Sequence, residues 1–430
     1  MSVPPVNSGL DELVVRISEE VQGLRAERTS DQLRREVLNA KKAHGTGVDD
    51  ICARIISAVL AAPGSPRHRA ELMDEMLSLH AWYRLHRGLM WQKIDGAARY
   101  APVSAQFQRL ETTIRRCSSN GLVSVGVSNH LLGMLRSAFE DYEAAAGLFR
   151  REIFNPSTFM SGFYNGSSTF QPPSVAWRGL HEIAAPLEKF FSVSRTYTTQ
   201  LTQNSGPLFV FSADANYFNG LAGDMLDSLL QSGIEIDVDI VVIADPGDVH
   251  IVANQFIAAL DRAGASGRVM VAQTEYDIRT MSALARYLWA GEQLSRNARS
   301  CAIFDLDVHF TKDAFEDLGL LTDGADLGLS YGVYGRAVAP WSTYLAGATF
   351  VRSGSLGRFF FDRFRWFVGK SLAVGQGQWF IDQNAIFAAE YLTTRLFPAG
   401  NRTNLGGLLN KILANLEVDR VTAIKRNAVR

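Results

Sequence analysis

From residue 208 onward the chain alternates short apolar runs with amphipathic helical stretches, and this alternation limits the folds open to it more than any other feature. Residues 208–212 (LFVFS) read as a strand, 221–231 as an amphipathic helix, and 238–244 as a buried strand closed by Asp245-Pro246-Gly247. A helix over 249–263, a strand over 269–272, a helix over 280–294 and a strand over 301–304 continue the series. Such alternation predicts parallel strands joined by helical crossovers, with any ligand lying outside the carboxyl ends of the strands. Asp214, Asp245, Asp305 and Asp307 all fall at such ends.

The first half follows a different grammar. Leu10, Leu13, Val14, Ile17, Val21 and Leu24 recur at helical spacing. Further helices are expected over 31–42, 48–61 and 67–87, parted by Gly45-Thr46-Gly47 and Pro63-Gly64-Ser65-Pro66. One helix is expected over 132–151, a loop over 155–175, and a last helix over 180–192 before a break in composition at 203–207. No repeat period stands out. The chain therefore reads as α/β, with a mainly α-helical N-terminal region over 1–204 and a second domain over 205–430.

At 430 residues with 47% apolar content, the chain is long enough for two or three cores. A formal net charge of −1 does not advertise a long phosphate footprint, a membrane surface or a strongly charged partner. Cys52, Cys117 and Cys301 are far apart in apolar or helical settings, which predicts buried reduced thiols and a cytoplasmic setting. Neither a leader pattern at the N-terminus nor an integral membrane segment is expected; peripheral contact with a membrane is compatible with both.

The segment Ala302-Ile303-Phe304-Asp305-Leu306-Asp307 delivers two carboxylates where a strand pattern ends. Residues i and i+2 of an extended segment share a side, so Asp305 and Asp307 can present their oxygens together. A hard cation such as Mg²⁺ or Mn²⁺ takes oxygen ligands and commonly uses one or two protein carboxylates plus substrate phosphates. Solvated turns and helix caps use the same residues. His309 reads as a loop histidine, and Asp323 and Asp326 as turn residues.

Four elements in the second half, in this order, resemble the GT-A fold glycosyltransferases, and in particular the retaining enzymes of glycosyltransferase family 8. Phe211-Ser-Ala-Asp-Ala-Asn-Tyr217 resembles the opening strand and nucleotide-binding turn; Arg286 falls where the family carries an arginine on a helix; Asp305-Leu-Asp307 matches the family's DxD motif; and Trp379-Phe-Ile-Asp-Gln-Asn384 resembles an Asp-Gln element opening a helix beneath the transferred sugar. Leu396-Phe-Pro-Ala-Gly-Asn401 resembles the strand that follows in the family. Two features depart from the pattern. Leu345-Ala-Gly-Ala-Thr-Phe350 lacks the usual Asn, and no histidine follows His309 to supply a third metal ligand, with Lys425 the nearest candidate in that region.

The resemblance implies a GT-A (Rossmann-like nucleotide-diphospho-sugar transferase) domain that moves a sugar from a nucleotide sugar, a UDP-sugar for choice, to an acceptor hydroxyl. The acceptor could be a glycan, a lipid-linked glycan or a protein, with nucleic acid disfavoured by the near-neutral charge. It implies that Asp214, Asn216, Tyr217, Arg286 and Asp305 contact the nucleotide sugar, with Tyr217 stacking on the base. It also implies that Asp305 and Asp307 hold Mn²⁺ or Mg²⁺, and that Asp382 and Gln383 serve the chemistry. Retention would follow either a front-face route aided by Gln383 or a double displacement on Asp382. The alternatives are an inverting GT-A transferase, a sugar nucleotidyltransferase, or a catalytically inactive nucleotide-sugar-binding module.

Overall fold

The computed structural model describes residues 8–22, 29–44, 47–61, 70–94, 97–102, 104–150, 165–167, 169–199, 206–231, 236–331, 339–373 and 381–414. Leu24, Gly45, Thr46, residues 63–66, 155–164 and 203–205, Trp379, Phe380 and Lys425 lie outside them. The chain divides into two compact units that part between Pro172 and Pro173. This division lies before the composition break at 203–207, because a strand at Ser192–Thr198 belongs to the sheet of the second unit.

The first unit holds α1 (Ser8–Val21), α2 (Ser30–His44), α3 (Val48–Ala61), α4 (Ala70–Gly88), α5 (Ser104–Ser119), α6 (Val125–Ala138) and α7 (Tyr142–Phe149). The stripe Leu10, Leu13, Val14, Ile17 and Val21 is buried, as its spacing requires. The single helix expected over 132–151 is instead two, because Glu140 turns to a left-handed φ of 60° and Asp141 caps α7 through the Ala144 N–H. Between α4 and α5 an antiparallel hairpin joins β1 (Leu89–Ile94) to β2 (Ala97–Pro102), which the all-helical reading missed. The dipeptide Asp95-Gly96, favoured in two-residue hairpin loops, is the signal that marks it in the sequence.

The second unit begins with α8 (Pro173–Arg178) and single 3₁₀ turns at Gly179–His181 and Leu187–Lys189, where a helix over 180–192 was expected. Pro186 sets the extended backbone (ψ 158°) that separates the two turns. The succession of elements is then β3 (Ser192–Thr198), β4 (Leu208–Asp214), α9 (Ala215–Gln231), β5 (Asp237–Ile243), α10 (Pro246–Ala263), β6 (Ser266–Gln273), α11 (Ile278–Asn297) and β7 (Cys301–Phe304). It continues through α12 (Lys312–Thr322), β8 (Leu327–Tyr331), α13 (Pro340–Thr343), β9 (Tyr344–Val351), α14 (Ser355–Ala373), α15 (Ile381–Leu396), β10 (Arg402–Asn404) and α16 (Gly406–Ala414).

Among the described residues, eight strands form one sheet in the order β10-β8-β9-β7-β4-β5-β6-β3. The central run β7-β4-β5-β6 is parallel, as the strand–helix alternation demands. The whole sheet is mixed, because β9 runs antiparallel to β7 and β8, and β3 antiparallel to β6. Residues 396–401 do not form a strand: α15 extends to Leu396 and pairing with β8 begins only at Arg402.

Each central strand feeds two cores in strict alternation. Leu208 and Val210 of β4 pack with residues of α11, α14 and α15 on one face, while Phe209, Phe211 and Ala213 pack with α9, α10, α12 and α16 on the other. The result is an α/β/α layered unit. Every fully buried Leu or Phe side chain contributes about 1.5–3 kcal/mol of apolar burial. Cys52, Cys117 and Cys301 are buried free thiols, and burial pushes Cys301 up to about 12.

Candidate functional site

Strand order fixes where a site can form. From β4 the chain crosses to β5 and β6 on one side and then returns to β7 on the other side of β4, so the carboxyl ends of β4 and β7 flank a topological switch point. Asp214 closes β4, while Asp305 and Asp307 follow β7.

Past the last paired residue of β7 the chain bends at Leu306 and Asp307. Leu306, Val308 and Phe310 are buried in the core shared with α9 and α12, with Phe310 edge-on to Phe304 at 5.0 Å. The Phe310 N–H donates to Ser228 Oγ at 3.1 Å and the His309 N–H to the Ile412 carbonyl at 3.2 Å. Ahead of these anchors in the chain, Asp305 is half-exposed and Asp307 is buried. His309 is half-buried.

On the β4 side, Asp214 Oδ1 accepts the Tyr217 N–H at 2.8 Å and so caps α9. Asn216 is exposed in the first turn of that helix. Tyr217 is half-buried, its ring packed against the same core as Leu306, and its hydroxyl donates to Asp307 Oδ2 at 2.6 Å. Burial raises the Tyr217 phenol well above its ordinary range, and the negative charges of Asp307, Asp305 and Asp214 add to the effect. Asp307 is the carboxylate bonded to that hydroxyl, while Asp214 holds the backbone of the same residue.

On the other side stands Arg286 of α11. An arginine on an amphipathic helix ordinarily reaches solvent, but Arg286 is only 4% exposed. Its Nη2 lies 2.8 Å from Asp305 Oδ1 and 3.7 Å from Asp382 Oδ2, and it donates to the Ala346 carbonyl at 3.3 Å. Burial opposes the guanidinium charge, and Asp305, Tyr287 and Asp382 more than offset it, so the group stays firmly protonated. Tyr287 donates to the same Ala346 carbonyl at 2.8 Å and meets Thr349 Oγ1 at 3.0 Å. The Asp305 N–H in turn donates to the Gly347 carbonyl at 3.3 Å. A Cβ at Gly347 would come within 3.2 Å of Asp305 Oδ2, so glycine there leaves room for the carboxylate.

Asp382 sits in the first turn of α15, buried, with the Gln383 N–H donating to its Oδ1 at 2.8 Å. Burial pushes its carboxyl above the usual range, with Arg286 and the backbone donors working the other way. Gln383 is half-buried beside it. Arg286 thus joins Asp305 to Asp382, residues far apart in the chain. Tyr287, Thr349 and Gly347 support this arrangement and were not singled out in the sequence; only the place of Tyr287 next to Arg286 hints at its part.

A cavity of about 1380 Å³ opens at the carboxyl ends of β4, β5 and β6, lined in part by Asp214, Asn216, Asp245, Gln273 and Tyr276. Asp245 begins α10, yet its carboxylate accepts from Gln273 Nε2 at 2.8 Å and makes no side-chain cap. Among the described residues no group of three or more His, Cys, Asp or Glu side chains is placed to hold a metal ion. Two carboxylates, Asp305 and Asp307, are a donor set that suits a hard cation completing its shell with water or phosphate oxygens. Among the described residues no helix is long and apolar enough to cross a membrane.

No protein-family model matches the chain, and no curated protein matches it. Among solved structures it is similar to the apo structure of the bifunctional glycosyltransferase WbbM, at 13% identity and a TM-score of 0.34, over 53% of this chain and 45% of that one. The match thus spans less than half the length of that protein, and a likeness of this degree leaves function to be argued from the site.

Proposed function

We propose that the chain is a metal-dependent glycosyltransferase of GT-A architecture that carries a sugar from a nucleotide sugar to an acceptor hydroxyl with retention of configuration. The observation that carries this reading is the Arg286 bridge, which gathers Asp305 and Asp382 at the carboxyl edge where Asp214, Tyr217 and Asp307 also meet. The sequence resemblance to family 8 supplies the choice of a UDP-sugar as donor and of a glycan, lipid-linked glycan or protein as acceptor.

The cavity lined by Asp214 and Asn216, at the carboxyl ends of β4 and β5, supports placing the nucleoside there. Mn²⁺ or Mg²⁺ at Asp305 and Asp307 would supply Lewis-acid neutralisation of the departing diphosphate. Arg286 keeps Asp305 and Asp382 in register and adds a fixed positive charge at the edge where negative charge develops. Asp382 is already engaged by Arg286 and by the Gln383 N–H, which favours the front-face route over attack by its carboxylate. In that route the leaving phosphate oxygen takes the acceptor proton, and Gln383 offers an amide dipole near the sugar.

The test is a panel of nucleotide sugars given to the purified full chain with Mn²⁺, with Mg²⁺ and with chelator, read as donor hydrolysis or transfer. Turnover of one nucleotide sugar that stops with chelator is expected. Turnover indifferent to chelator removes the metal, and an inverted anomeric centre by NMR removes retention.

A further inference from the structure

We propose that Tyr217 is a positioning residue for the cation, acting through its hydroxyl on Asp307, and is not a stacking platform for the base; this rests on the metal-dependent reading of the site. Tyr217 is half-buried against the core that holds Leu306, which leaves less of the side chain open to a base. Its hydroxyl donates at 2.6 Å to Asp307 Oδ2, across 90 positions of sequence. A carboxylate that binds a cation through one oxygen is held best when a donor fixes the other, and outer partners of this kind commonly alter metal affinity 10–100-fold.

The two carboxylates of the pair are held differently. Asp305 pairs with the charged Arg286, and Asp307 accepts from the neutral Tyr217 hydroxyl. A phenol orients a carboxylate without cancelling its charge. The Tyr217 hydroxyl thus limits the rotation of the Asp307 carboxylate and leaves it anionic. The Asp214 cap explains why the phenol lies in reach: by accepting the Tyr217 N–H it fixes the first turn of α9, and with it the direction of the Tyr217 side chain.

The experiment titrates Mn²⁺ alone into the full-length protein and reads free Mn²⁺ by electron paramagnetic resonance, for wild type, Tyr217→Phe, Tyr217→Ala and Asp307→Asn. Phenylalanine keeps the ring and deletes only the hydroxyl. Tyr217→Phe is expected to weaken Mn²⁺ binding about 10–100-fold. Adding Mn²⁺ to wild type is also expected to give a tyrosine ultraviolet difference band that Tyr217→Phe lacks. With UDP alone in chelator, Tyr217→Phe is expected to bind as wild type does, and Tyr217→Ala to lose no more than its packing accounts for by circular dichroism and melting. Wild-type Mn²⁺ affinity in Tyr217→Phe, with Asp307→Asn defective, overturns the positioning role and leaves the metal reading standing. No difference in Mn²⁺ binding between wild type and Asp307→Asn overturns both. A loss of UDP affinity confined to Tyr217→Ala, in a protein folded like wild type, returns Tyr217 to the base.

Discussion

Replacing Arg286 by methionine keeps most of the side-chain volume and removes a cation that is 4% exposed and shared by two carboxylates. Breaking a buried pair from one side costs about 3–5 kcal/mol, because the remaining charge has no compensation. Asp382, 9% exposed, is the partner to which that figure applies. The Asp305 side chain is 38% exposed, and solvent screening reduces its share to about 0–1 kcal/mol. Burial already holds the Asp382 carboxyl above its ordinary range, with Arg286 pulling it back, so Arg286→Met raises it further. A carboxyl raised in the folded state binds more protons there than in the unfolded chain. Stability therefore falls as pH climbs from the ordinary aspartate value, about 4, through the raised folded one. Urea unfolding should show the full loss at pH 8 and a smaller one at pH 5, and Asp382→Asn in the Arg286→Met background should restore part of it. A loss below about 1 kcal/mol, or one equal at both pH values and untouched by Asp382→Asn, would refute the bridge as the organiser of this edge.

Asp305→Asn and Asp307→Asn should each remove most metal-stimulated turnover while melting within a few degrees of wild type; wild-type kinetics in a metal titration of both would reject the pair as ligands. Gln383→Ala should lower kcat more than donor affinity, since an amide aimed at developing charge acts in the transition state; a change confined to KM would assign it to binding. In the first unit, burial holds His130 down to about 3, so the folded state resists its protonation. Its contribution is present above the unfolded value of about 6.5 and is lost as pH falls below it, at up to about 1.4 kcal/mol per pH unit. His130→Leu should flatten acid unfolding over that window, and an unchanged acid slope would show that another group controls it.

The parallel core could be read from sequence because strands covered on both faces need unbroken apolar runs, as in Phe209-Val210-Phe211 and Ile240-Val241-Val242. The edge strand β3 could not. Its sequence Ser-Val-Ser-Arg-Thr-Tyr-Thr is exposed at every position but Tyr197, so nothing apolar announces it. The pairing of β9 against β7 was equally hidden, since an apolar run does not state its direction. At the candidate site, the spacing of Asp305 and Asp307 suited a cation and a solvated turn alike, and the resemblance chose between them. The position of Arg286 had to be borrowed from a resemblance, because no local pattern says that a helical arginine faces inward. Its ties to Asp305 and Asp382 come from the packing of α11 between β7 and α15, a tertiary fact with no one-dimensional trace.

The hydrogen bond from Tyr217 to Asp307 closes a loop of 90 residues. Bringing such distant segments together is entropically costly, and the contact requires the intervening strands β5, β6 and β7 in their places in the sheet. The candidate site is consequently a property of the finished second unit, and no fragment ending before α15 would contain it. Anything that grips both edges binds the native chain and not the unfolded one, and at 100 times its dissociation constant it would add about 2.7 kcal/mol to stability. Melting curves measured against a library of small molecules can therefore find this protein's ligand before any reaction has been observed.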